Sequence, residues 1–149
     1  MNPFDIKAAL LAKHAQHVVL IHFPIALFIA GVVFDFVAQK TRKRGLLAAA
    51  YYNLLGAAIF AVPAVATGIL AWQFQLEGQK LKGILLMHLL LGATSTILMW
   101  TAWGLHVRAR RQVPERLPVF RLGLETVAVA ILVLAGHLGG FLSGVNGPS

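Results

Sequence analysis

Four long apolar runs, parted by short polar segments, leave this chain few ways to fold. They cover about 17–39, 46–72, 84–106 and 122–143. Each reaches the roughly 20 residues that an α-helix needs to cross a hydrocarbon core of about 30 Å. Inside lipid a segment must satisfy its own backbone groups, so runs of this kind are helices. Charge is correspondingly scarce: 12% of the 149 residues are charged and 58% are hydrophobic, whereas roughly a quarter of a soluble domain is charged. The expected class is all-α, an integral-membrane four-helix bundle. Short connections favour up-down-up-down order.

One unit is expected over 17–145. Before it, 1–16 reads as a short amphipathic interfacial helix. Pro3 opens it, Phe4, Ala8, Leu11 and Ala12 share a face, and Lys7, Lys13 and His14 are polar. It lacks the basic start and short apolar core of a cleavable signal. Residues 146–149 form a tail. Pro63 falls inside the second span, where neighbouring helices can satisfy the freed carbonyl. Pro114 and Pro118 break any helix between the third and fourth spans.

The net charge of +8 does not indicate nucleic acid. Nine of the thirteen Lys and Arg residues lie in two short loops, at 40–44 and 108–121. That is the topogenic pattern of a membrane protein. By the positive-inside rule both basic loops face the cytoplasm and both termini face out. With no cysteine, disulfides, iron–sulfur clusters, thiolate zinc and covalently attached haem are excluded.

Ionisable residues inside spans are expensive and mark function by default. His22 lies 18 residues before Lys40, His88 lies 20 before Arg108, and His137 lies 16 after Arg121. At 1.5 Å per residue these are about 24–30 Å from the cytoplasmic charges. Three helices thus bring imidazoles to one outer layer, with His17 at its boundary. His14 and His106 lie outside it and are expected at the surface. Asp35 and Glu125, near the cytoplasmic ends, are expected to pair with basic residues there.

Imidazole ligates iron, copper and zinc. No carboxylate shares the layer, which disfavours a catalytic zinc or carboxylate-bridged iron centre. Haem b suits a cysteine-free apolar pocket, because neutral imidazoles on two helices can fill both axial positions. In a simple bundle the first and third helices are diagonal, which makes His22 and His88 the natural pair. His137 and His17 are the next ligands, for the same haem or a second. Gly136 and Gly140, on one face of the fourth span, allow close approach of a porphyrin or a helix. Two rival readings remain: copper or zinc on the same histidines, in binding or transport, and a cofactor-free structural subunit of a larger membrane complex. No nucleophile–base–acid set is apparent, so an electron-transfer protein fits better than a stand-alone enzyme.

The opening His17 to Pro24 (His-x4-His-Phe-Pro), Thr67-Gly68 followed by Trp72, an early histidine in the third span and Gly136-His-Leu-Gly-Gly140 together resemble the bacterial membrane proteins catalogued as domain of unknown function 2231. Val18 stands where that family often has proline. The resemblance implies a four-span protein of the bacterial inner membrane. Its relatives are sometimes joined to Rieske-type iron–sulfur domains, which implies electron transfer. The expected partners are membrane lipid and a redox protein or quinone, in a larger complex or a homo-oligomer.

Overall fold

A computed structural model describes residues 15–76, 78–112 and 117–143. Every regular element among them is a helix: α1 (Ala15–Thr41), α2 (Arg44–Gln75), α3 (Gly83–Arg110) and α4 (Phe120–Leu142). All four are long and apolar enough to cross a membrane. The interfacial segment expected over 1–16, His14 within it and the tail at 146–149 lie outside the described residues, apart from the first turn of α1.

The helices pack as two close hairpins, α1 with α2 and α3 with α4. Contacts of α2 with α3 and of α1 with α4 close the square. That leaves α1 and α3 on one diagonal, α2 and α4 on the other. The sequence explains the close packing. Buried positions of α2 are mostly alanine (Ala50, Ala57, Ala58, Ala61, Ala64), while Ile59, Val62, Ile69 and Leu70 point outward. Small residues inside and large apolar ones outside are what a bundle in lipid requires, because burial of hydrocarbon gives no advantage there and close backbone approach does. The centre holds Phe28, Val32, Leu54, Met99 and Leu132. Pro63 is accommodated within α2, where the Thr67 hydroxyl donates back to the Pro63 carbonyl at 2.8 Å.

The two hairpins share one register. On α1 the buried residues include Pro24, Phe28, Gly31, Asp35 and Ala38; on α3 they are Ser95, Met99, Ala102, His106 and Ala109. Each member of the second set lies 71 positions after its counterpart. On α2, Ala50, Leu54, Ala57, Ala61 and Ala64 are buried, and at the same offset α4 buries Arg121, Glu125, Ala128, Leu132 and Ala135. The two hairpins therefore bury the same register positions and run in parallel.

Candidate functional site

Helical periodicity decides which ionisable groups face inward. His17 and Asp35 are 18 residues apart on α1, as are His88 and His106 on α3. Eighteen residues make about five full turns. Each helix therefore presents two inward residues on one line, roughly 27 Å apart along its axis. The result is two polar layers separated by the apolar centre, an outer layer at the His17 and His88 end and an inner layer at the end of the basic loops.

The outer layer is built the same way twice. The His17 ring lies against Gly68 of α2, and a Cβ on that glycine would come within 3.0 Å of its Cε1. The His88 ring lies against Gly139 of α4, with the same 3.0 Å limit. His88 Nδ1 is 2.9 Å from the Ala135 carbonyl, so it carries the proton and donates. His17 Nδ1 is 3.2 Å from Thr67 Oγ1. The one hydroxyl proton of Thr67 is directed to the Pro63 and Ala64 carbonyls. Thr67 Oγ1 must then accept from His17 Nδ1–H. Both rings are thereby held as the tautomer with an unprotonated Nε2, and they are close enough for their charges to interact.

The remaining sequence-derived candidates stand elsewhere. His22 is exposed, and its Nδ1 donates to the Val18 carbonyl of its own helix at 2.6 Å. It points about 160° away from the inward face of α1 that Pro24 marks. His137 is exposed on α4 and packs edge-on against Phe141. Gly136 is half-buried with open space where a Cβ would stand; Gly140 is also half-buried. The structure turns His17 and His88 inward against the neighbouring helix of each hairpin and leaves His22 and His137 on the outer faces.

The inner layer corrects one expectation. His106 is not at the surface; it is 2% exposed. The reason is that α3 continues to Arg110, so His106 sits a turn inside the helix end on the line of His88. Around it are Asp35 and Glu125, both fully buried. Asp35 pairs with a basic residue as expected, but that residue belongs to a helix: Arg121, in the first turn of α4. Arg121 Nε donates to Asp35 Oδ2 at 2.6 Å and Nη2 to Oδ1 at 3.0 Å. Its remaining bonds reach Gln39 Oε1 and the Pro118 carbonyl, at 3.0 and 3.2 Å. Glu125 does not find a basic-loop partner among the described residues. His106 Nε2 stands 3.6 Å from its Oε1. Beyond Arg121 opens a cavity of about 680 Å³ lined by Arg42, Lys43, Arg44 and Arg110 among others.

Four membrane-length helices, an apolar exterior and paired polar layers define a multi-pass α-helical membrane protein. The chain belongs to the DUF2231 family, described as predicted membrane proteins, whose model matches residues 13–147. No curated protein and no solved structure matches it.

Proposed function

We propose that the protein is a small b-type cytochrome or haem-bearing subunit, with haem b held by His17 and His88. The supporting observation is the paired imidazoles on diagonal helices, each with Nδ1–H committed to a protein acceptor and Nε2 left to ligate. A ligating histidine almost always donates its other ring N–H in this way, which fixes the tautomer and raises basicity. The donor count favours haem over copper or zinc on the same histidines. Among the described residues no third His, Asp or Glu groups with this pair. A porphyrin brings four equatorial nitrogens of its own and asks the protein for two. Bound haem would supply one-electron chemistry, and two axial histidines favour electron transfer over oxygen chemistry. In this reading His17 takes the place beside His88 that residue counting gave to His22. Gly68 and Gly139 set how the rings stand, and the lipid-facing residues keep water away.

The electron donor or acceptor would be a redox protein on the periplasmic side, exchanging with a quinone or another membrane redox protein. This rests on the orientation set by the basic loops at 40–44 and 108–121, which puts the histidine layer outermost in the inner membrane, with both termini periplasmic. Reporter fusions at Lys80 and Ser149 check it, and activity of both fusions in the cytoplasm alone would reverse the orientation. The cofactor test is a reduced-minus-oxidised absorbance spectrum of protein made with haem available. A low-spin b-type spectrum is expected. It should be lost or become high-spin in His17→Ala and in His88→Ala, and persist in His22→Ala and His137→Ala. A haem-free wild-type protein would sink the reading.

A further inference from the structure

We infer that Asp35, His106 and Glu125 form a second site, for a zinc-class divalent metal ion, at the basic-loop end of the bundle. This goes beyond the haem reading and uses none of its residues. The first observation is a set of donors that the protein does not satisfy. His106 Nε2 and both carboxylate oxygens of Glu125 are buried and have no hydrogen-bond partner among the described residues. A buried carboxylate without a partner is strongly disfavoured. Asp35 is held by Arg121, so two carboxylates face one guanidinium, and a cation balances the remainder.

The second observation is spacing. His106 Nε2 is 3.4 Å from Asp35 Oδ2 and 3.6 Å from Glu125 Oε1. Hydrogen bonds of this kind run about 2.7–3.2 Å. Donors standing 2.0–2.2 Å from one tetrahedral ion are separated by roughly 3.3–3.6 Å. Both carboxylates therefore stand too far from His106 Nε2 for a good hydrogen bond, and at the separation from it that shared ligation requires. One donor atom from each residue can be chosen so that all lie within 4.8 Å of one another. The donor set, one imidazole and two carboxylates on three helices, suits zinc. Arg121 would be the positioning residue, fixing the Asp35 carboxylate through its two hydrogen bonds, as outer partners of metal ligands do. Burial and the cationic cavity outside Arg121 oppose exchange with free ions, so the ion would enter as the chain folds.

The test is metal analysis of full-length protein purified in detergent from cells grown with added zinc. Stoichiometric zinc is expected in the wild type and in His22→Ala. Glu125→Gln, which keeps the side-chain size, should lose zinc at least about ten-fold. If that variant fails to fold, His106→Gln decides by the same measurement. Cells grown with cobalt should yield protein with the intense visible bands of four-coordinate cobalt, absent in the variant. A wild-type protein without divalent metal overturns the inference. So does zinc that survives both Glu125→Gln and His106→Gln but is lost in His17→Ala. The two sites fail separately: Glu125→Gln should leave any haem spectrum unchanged, and His17→Ala should leave the zinc.

Discussion

At the outer end of the bundle the two hairpins present the same parts: His17 on Gly68 in one, His88 on Gly139 in the other. At the inner end they differ at the corresponding positions. Asp35 stands opposite His106, Ala50 corresponds to Arg121, and Leu54 to Glu125. One repeated hairpin thus gives a two-fold layer and a layer with that symmetry broken. A two-fold layer suits a ligand that takes two like donors from opposite sides. A broken layer concentrates unlike donors around one point and puts Arg121 on one flank. The energetics diverge too. The outer histidines are half-buried and each is held through Nδ1 by one hydrogen bond to the neighbouring helix of its hairpin. The inner groups are fully buried and depend on one another.

The largest effect should follow from breaking that dependence. Arg121→Ala leaves Asp35, which has no exposure to solvent, without its guanidinium. Removing one member of a buried pair costs about 3–5 kcal/mol, so this variant should be the least stable of any discussed here. Asp35→Asn combined with Arg121→Ala should recover much of the loss. The thermal midpoint of the detergent-solubilised protein reads both. A double variant no better than the single one would mean that Arg121 acts mainly through Gln39 and Pro118.

Next come the glycines under the two rings. An added Cβ at Gly68 or Gly139 stands 3.0 Å from an imidazole carbon, tighter than the ring can accept without turning. Overpacking of this sort costs about 1–3 kcal/mol. If the outer layer is two-fold in energy as in shape, Gly68→Val and Gly139→Val should lower stability by similar amounts. Gly136→Ala, where space is open, should be near neutral. Unequal losses at the two contact glycines would show that the hairpins only look alike.

Much of this was legible in the sequence, and what was not has a physical reason. Span number and type follow from run length alone, because lipid leaves no alternative to helices. The depth of the histidine layer follows from residue counts. Facing does not, because the spans are apolar nearly all round and give no amphipathic signal to orient them. Depth alone therefore favours His22 over His17, although five residues on a helix turn one well away from the other. The 18-residue spacing from His17 to Asp35 and from His88 to His106 carried the answer. It is masked because His106 sits beside basic residues that resemble a loop. The duplication was hidden for a related reason. Lipid-facing positions tolerate any large apolar residue, so identities at the shared offset survive mainly at inward sites such as His17 and His88, Ala57 and Ala128, Ala64 and Ala135, Gly68 and Gly139.

The smallest predicted effect probes a residual asymmetry within the outer layer. His88 is oriented by a backbone carbonyl, that of Ala135, which no side-chain change removes. His17 is oriented by a side chain, Thr67 Oγ1. Thr67→Val keeps the shape and removes the hydroxyl, both the acceptor for His17 and the donor to the Pro63 and Ala64 carbonyls, at a cost near 1 kcal/mol. The His17 ring would then be free to turn about its χ angles while His88 stayed fixed. Any haem held by His17 and His88 should remain, with the His17 imidazole less strongly oriented and less basic. The expected result is a modest shift in reduction potential with the low-spin spectrum kept, measured by spectroelectrochemical titration against the wild type. Complete loss of haem in Thr67→Val would mean that the hydroxyl does more than orient a ligand. An unchanged potential would mean that packing against Gly68 alone holds the ring, and that the two halves of the outer layer are more alike than their hydrogen bonds suggest.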